Sequence, residues 1–201
     1  MTATKTNKGK VAGGASAIAL IIAAVFAVEG GYVNNPKDPG GATNHGVTEA
    51  VARKHDYRGH MKDLPKEFAE KIAYRDYIVA PGYEPMLVLA PVVAHELIDT
   101  GYNAGPGRSS RWFQVALNSL NREGQDYPDI AVDGNVGPGT INAYKALAKR
   151  RGEVKACELT IKLLEGQQAQ HYLNLKHLET FMIGWVDHRL GNVSLEKCGE
   201  L

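Results

Sequence analysis

The chain has 201 residues, with 23 basic against 22 acidic side chains and a net charge of +1. That length suits one domain, or one and a half, with a core of ordinary size, and the near-neutral balance gives no support for nucleic-acid binding as the main task. Two cysteines outside any CxxC or Cys/His cluster, and seven histidines without HExxH spacing, supply no zinc motif, and no metal or cofactor is implied.

Residues 1–10 form a basic N-terminus carrying Lys5, Lys8 and Lys10. Residues 11–28, VAGGASAIALIIAAVFAV, hold no charge over eighteen positions, the threshold for a membrane span. As a helix the segment is about 27 Å long, slightly short of a hydrocarbon core of about 30 Å. The next basic residue is Lys37, so the positive-inside rule puts the N-terminus in the cytoplasm and everything after Glu29 outside. Three readings stand here: a cleaved signal peptide, a stable anchor, or a buried helix of a soluble domain. Ten of the eighteen residues are Ala, Gly or Ser, which contribute little to insertion. Ile18, Ile21, Ile22, Val25 and Phe26 share one helical face, and alanines populate most of the remainder. The segment can therefore live in either solvent. The same helical wheel turns Glu29 toward the stripe of large side chains.

After Glu29 comes GGYVNNPKDPGGATNHGVT. Its glycines and prolines predict a loop or short hairpin rich in hydrogen-bonding side chains. Eight residues separate Glu29 from Asp38, and Thr43 follows Asp38 by five positions. Two carboxylates facing each other across a cleft are what glycosidic-bond hydrolysis requires, one as acid and one to orient water or stabilise the sugar cation. Desolvation at an apolar helix end favours the protonated form of Glu29, whereas Asp38 in a polar loop stays ionised. A loop of this length also allows a carboxylate gap of roughly 6.5–9.5 Å, which predicts inversion. From spacing alone the alternative stands that Glu29 caps a helix and Asp38 forms an Asx turn before Pro39.

The stretch EGGYVNNPKDPGGATNHGVT closely resembles the signature of glycoside hydrolase family 108, lysozyme-like N-acetylmuramidases of phages and bacteria. It is also similar to the Glu, eight residues, Asp, then Thr pattern of the wider phage lysozyme superfamily, in which one more residue usually precedes the Thr. The resemblance implies a mainly α, lysozyme-like fold with a small β-hairpin after the first helix. It implies Glu29 as general acid, Asp38 as base or stabiliser, and Thr43 as a water-positioning residue, with Asn44 beside them for substrate.

Thr48 is placed to cap a helix through EAVARKH, and Pro65 opens a helix over about 65–79 whose apolar face is Ala69, Ile72, Ala73 and Tyr77. That helix ends at Pro81-Gly82, and two more follow, broken by AGPG. Asp99, Tyr102 and Asn103 stand before that break. The resemblance places Tyr102 and Asn103 at a polar helix end facing the cleft, as substrate-binding residues; a helix C-cap is the alternative for Asn103. Residues 112–147 resemble the peptidoglycan-binding repeat that accompanies family 108 regions. There Asp133-Gly134 makes a turn and Pro138 opens a helix; the alternative is a turn within one continuous lysozyme-like body. A long helix over about 153–178 precedes the closing FMIGWVDHRLGNV. In an exported protein, Cys157 and Cys198 can form a disulfide.

The expected organisation is thus a cytoplasmic 1–10, a signal-anchor-release helix 11–28, a catalytic region 29–105, and a peptidoglycan-binding-like region 106–201 continuous with it. The expected protein is a monomeric phage endolysin with peptidoglycan as its partner. It is held in the host inner membrane with the N-terminus inside, then released to the periplasm. The competing reading is a membrane-tethered peptidoglycan-binding or secretion-assisting protein with little hydrolytic activity.

Overall fold

The computed structural model describes residues 31–34 and 41–200. The apolar segment 11–28, Glu29 and Asp38 lie outside the described residues. No helix among the described residues is long and apolar enough to cross a membrane. The architecture is mainly α with one two-stranded antiparallel sheet, and the chain divides into two compact units at Val79/Ala80.

In the first unit, β1 (Thr43–Asn44) pairs with β2 (Val47–Thr48), Asn44 opposite Val47. The two-residue connection, His45-Gly46, has φ of 48° and 71°, the double positive φ of a type I′ hairpin turn. Thr48 then caps α1 (Glu49–Lys54), its hydroxyl accepting from the Val51 N–H. After a 3₁₀ turn at Met61–Asp63, Pro65 precedes α2 (Lys66–Tyr74), which runs on as a π-helical turn, Arg75–Val79. Ala69, Ile72 and Ala73 are buried as the spacing predicts, and Ile78 rather than Tyr77 continues that face inward. A small core of Ala42, Val47, Ala52, Met61, Leu64, Ala69 and Ile72 joins hairpin and helices.

In the second unit the helices are α3 (Glu84–Leu89), α4 (Pro91–Ala104), α5 (Pro106–Leu120), α6 (Pro138–Arg151), α7 (Glu153–Asn174) and α8 (Met182–Arg189). Pro91, Pro106 and Pro138 each occupy a first helical position, where the missing N–H has no intrahelical partner to lose. Phe113, Leu97, Ile98, Leu117, Leu147, Ile161 and Leu164 close the core between α4, α5, α6 and α7.

The turn expected at Asp133-Gly134 is present, with Gly134 at φ 87°. It is clamped by Gln114 of α5, which is 1% exposed. The Gln114 Nε2 donates to Asp133 Oδ1 at 2.8 Å and to the Asn135 carbonyl at 2.9 Å, while Oε1 accepts from the Gly134 N–H at 2.9 Å. The Gln114 bond, and then one from the Asn135 N–H to Asp133 Oδ1 at 2.9 Å, hold the Asp133 carboxyl below its usual range. α7 ends at Asn174, short of the expected 178, and continues as a 3₁₀ turn over Lys176–Phe181. The reversal lets Trp185 of α8 lie against Tyr172 and Phe181, with ring centroids 5.2 and 5.9 Å apart. Aromatic packing thus overrides the local helical preference.

Glu96 stands on the apolar face of α4, between Val93, Leu97 and Thr100, and is 1% exposed. Thr100 Oγ1 lies 3.2 Å from Glu96 Oε1 and 3.1 Å from Gln168 Oε1 of α7. One hydroxyl has one proton to give, and an amide oxygen has none. With Glu96 protonated the chain closes: Glu96 donates to Thr100, Thr100 to Gln168, and Gln168 Nε2 to the Tyr172 hydroxyl. Burial pushes the Glu96 carboxyl up to about 8, with the Glu165 and Asp99 charges adding to the rise and the Thr100 contact opposing it. Glu96 Oε2 has no hydrogen-bond partner, which a neutral carboxyl tolerates far better than an anion. At the far end of α7, Cys157 is bonded to Cys198, 41 positions on. That bond pins the C-terminal 3₁₀ turn, Leu195–Glu200, to the helix.

Two outcomes follow. Because the folded-state value of Glu96 lies above the ordinary 4.5, its contribution to stability is present below the unfolded value. It is lost as pH rises toward about 8, by at most ~1.4 kcal/mol per pH unit. Glu96→Gln keeps a donor for Thr100 and removes the titration. Thermal melts should show the wild type losing stability from pH 5 to 8.5 relative to this variant; parallel curves would refute a protonated Glu96. Replacing both cysteines by alanine should lower stability by about 2–4 kcal/mol, since the bridge closes a loop of that length in the unfolded chain. The corresponding fall in Tm is roughly 5–15 °C, readable by calorimetry.

Candidate functional site

Val33 and Thr43 bracket the loop that contains Asp38, and they are fastened to each other. The Val33 N–H donates to the Thr43 carbonyl at 2.8 Å, and the Thr43 N–H to the Val33 carbonyl at 2.7 Å. Thr43 also pairs with Thr48 in the hairpin, so it is the central position of a three-segment backbone ladder. Glu29 precedes Val33 by four positions. The stems of the acid-bearing loop are therefore set by main-chain hydrogen bonds, which side-chain substitution does not remove.

Successive strand residues point to opposite faces. Asn44 is turned inward and is 4% exposed, whereas Thr43 is half-buried. The Asn44 amide donates to the carbonyls of Met61 at 2.8 Å and Lys62 at 3.2 Å, which spends both of its N–H groups. The visible task of Asn44 is to fasten the 3₁₀ turn to the hairpin. The Thr43 hydroxyl makes no hydrogen bond among the described residues, so a donor and an acceptor remain for water or a sugar hydroxyl.

Tyr102 and Asn103 belong to the second unit, at the C-terminal end of α4. Asn103 is exposed; its Nδ2 donates to the Asp99 carbonyl at 2.8 Å and approaches Asp99 Oδ2 at 3.3 Å. Tyr102 is half-buried, and burial raises its phenol while the Arg189 charge opposes that rise. Asp99 is buried and holds this helix end to the C-terminal segment. Its carboxylate accepts from Arg189 Nη1 at 3.3 Å and from Asn192 Nδ2 at 3.0 Å. Among the described residues no group of three or more metal-binding side chains gathers.

Two features of the second unit were not singled out from the sequence. One is the Glu96–Thr100–Gln168–Tyr172 chain, whose signal was an acid within the apolar stripe of AHELIDTGYNA. The other is an open groove between α5 and α7 lined by Arg108, Trp112, Gln167, Gln170, His171 and Asn174. Its signal was aromatic and amide side chains recurring at i, i+3, i+4 and i+7 on exposed helix faces.

Comparison with known proteins relates these parts to families. Residues 22–105 match the family described as Glycosyl hydrolase 108. Residues 108–190 match the family described as Predicted Peptidoglycan domain. Among solved structures, that of Brucella abortus SagA is similar, with 25% identity and a TM-score of 0.64 over 94% of this chain and 95% of that one. No curated protein matches the chain. The fold likeness extends over nearly the whole of both chains, so the mainly α architecture with its small hairpin is of the lysozyme-like kind. The chain thus carries a glycosyl hydrolase 108 segment followed by a peptidoglycan domain, and the pair makes it a lysozyme-like glycoside hydrolase acting on peptidoglycan.

Proposed function

We propose that the enzyme hydrolyses the β-1,4 bond between N-acetylmuramic acid and N-acetylglucosamine, with Glu29 as general acid, Asp38 as base or stabiliser, and Thr43 positioning water. The observation that carries this reading is the double backbone bond between Val33 and Thr43. It closes the loop containing Asp38 and sets the half-exposed Thr43 at its base. Tyr102 and Asn103 serve the substrate in this reading, and Asn44 serves it indirectly, by holding the hairpin to the Met61–Asp63 turn. Glu29 donates its proton to the leaving glycosidic oxygen as the sugar cation develops. Asp38 either accepts a proton from the attacking water or balances the positive charge on the ring.

The biological setting we propose is host lysis by a monomeric phage endolysin. Residues 11–28 hold the chain in the inner membrane with the N-terminus inside. On depolarisation the weakly apolar helix leaves the bilayer, and the periplasmic protein folds with it as a core helix. The family match supports retention of this helix, since it begins at residue 22, inside the apolar segment. Residues 22–28 lie within the segment that matches the hydrolase family.

Glu29→Gln preserves size and removes the transferable proton. It should reduce clearing of outer-membrane-permeabilised cells by at least about a hundredfold with an unchanged melting curve. Activity within about tenfold of wild type would end the general-acid assignment. For the membrane step, Gly13→Leu, Gly14→Leu and Ser16→Leu add apolar surface at about 0.8 kcal/mol per buried CH₂. They precede the stripe at 18–26. The triple variant should remain in the membrane fraction and lyse late or not at all. The wild type should shift to the soluble fraction at full length after an uncoupler is added. A soluble wild-type product beginning near residue 28 would show cleavage and refute release.

A further inference from the structure

We infer that the groove between α5 and α7 is a muropeptide subsite, in which Trp112 receives the face of an N-acetylated sugar and Arg108 receives a carboxylate of the attached stem peptide. The inference rests on the peptidoglycan-degrading reading and assigns it a binding site outside the catalytic loop. Arg108 and Trp112 are four residues apart on α5; Gln167, Gln170, His171 and Asn174 lie at i, i+3, i+4 and i+7 on α7. These spacings bring six side chains to the facing surfaces of two packed helices. The cavity is about 240 Å³, below the roughly 300–1,000 Å³ of sites for drug-sized ligands, and so is sized for one saccharide ring with a short substituent.

The lining chemistry selects the ligand. Trp112 and His171 meet edge to face with centroids 5.6 Å apart, forming an aromatic corner for the apolar face of a pyranose. The carboxamides of Gln170 and Asn174 offer donors and acceptors without charge, and the Gln167 oxygen a further acceptor, as hydroxyl and acetamido groups require. Gln167 is braced by its bonds to the Trp112 and Leu163 carbonyls at 2.9 and 3.0 Å, so its side chain is fixed between the two helices. Arg108 Nη1 bonds the Ala104 carbonyl at 2.8 Å and His171 Nε2 at 3.2 Å. Among the described residues no acidic side chain pairs with Arg108, and its other donors remain for an anion. Burial, and then the Arg108 charge, lower the His171 imidazole below its usual range. Neutral His171, accepting at Nε2, keeps an N–H at Nδ1 for the ligand. No carboxylate lines the groove, so a ligand that carries acid meets no repulsion. The wall polymer presents N-acetylated sugars and peptide carboxylates within one repeat. All six residues lie inside the segment matching the peptidoglycan domain.

The test uses the full-length wild-type protein, labelled with ¹⁵N at tryptophan, and two soluble probes: N-acetylglucosaminyl-β-1,4-N-acetylmuramic acid with its stem peptide, and the same disaccharide with its lactyl carboxyl capped as a methylamide, which carries no carboxylate. Neither contains the bond proposed above to be cleaved. The two indole signals, Trp112 and Trp185, are assigned with Trp112→Phe. Expected is a saturable shift of the Trp112 indole with both probes, with the peptide-bearing probe binding about tenfold tighter. Arg108→Gln should remove that difference and leave the affinity for the capped disaccharide unchanged. A Trp112 indole unmoved at millimolar probe would overturn the site, as would equal affinities of the wild type for the two probes. Neither result depends on Glu29; a failure of the general-acid assignment shows instead as lytic activity in Glu29→Gln.

Discussion

An ionised carboxylate cannot be left inside an apolar helix face without several kcal/mol of desolvation cost, and Glu96 is placed on such a face. The second unit is arranged around keeping it neutral. Protonation turns Glu96 into a donor, which sets the direction of the Thr100, Gln168 and Tyr172 bonds and joins α4 to α7 in one register. Three positions along α4 the opposite solution applies. Asp99 receives Arg189 and Asn192 from the C-terminal segment and Asn103 from its own helix. A neutral acid in the apolar stripe and a partnered acid at its margin thus hold the same helix at two points. The Cys157–Cys198 bond ties the following turn to α7, so Arg189 and Asn192 are carried by a segment fastened beyond them.

The first unit relies on main-chain geometry. The sequence between Val33 and Thr43 is rich in glycine and polar residues, whose backbone freedom works against fixed position. The Val33–Thr43 pair and the type I′ turn at His45-Gly46 resolve that conflict with hydrogen bonds that do not involve the loop's own side chains. Asn44 adds the one side-chain anchor, reaching 17 positions ahead to the Met61 carbonyl. Alternation along the strand turns the Asn44 amide inward onto the Met61 and Lys62 carbonyls, while the Thr43 hydroxyl makes no hydrogen bond among the described residues. Two neighbours with similar chemistry receive different work from the pleat alone.

Features written in local stereochemistry were legible in the sequence. Thr48 before EAVARK, Pro65 ahead of α2, AGPG between two helices and Asp133-Gly134 before Pro138 all act within a few residues, and each appears where expected. The features that escaped depend on distant partners. Gln114 reads as a polar residue on a helix until the turn 20 positions later is laid against it. Gln168 reads the same way until Thr100, 68 positions earlier, comes into contact. The end of α7 at Asn174 carries no proline or glycine to announce it, because the cause is the return of Trp185 onto Tyr172. Glu29 and Asp38, singled out through their spacing and the resemblance, lie outside the described residues.

Sequence families and packing divide this chain at different places, and the difference has a physical origin. The hydrolase match ends at residue 105 and the peptidoglycan match begins at 108, so the family boundary falls at the glycine between α4 and α5. The compact units divide earlier, at Val79/Ala80. α4 therefore belongs to the hydrolase by ancestry and to the second unit by contact. Its buried face, Val93, Leu97, Ile98 and Thr100, is closed by α5 and α7, and Ser109 of α5 donates to the Leu97 carbonyl at 2.8 Å. Gly105, at φ 93°, turns the chain so that these helices meet, while the Gly101 Cα lies too near Pro106 to carry a larger side chain without adjustment, a Cβ there falling 3.3 Å from the Pro106 Cα. The peptidoglycan-matching segment is thus more than a wall-binding appendage: it supplies the apolar surface against which the last helix of the hydrolase segment, with Tyr102 and Asn103 at its end, is ordered. The same pair of helices, α5 and α7, also lines the groove of Arg108, Trp112 and His171.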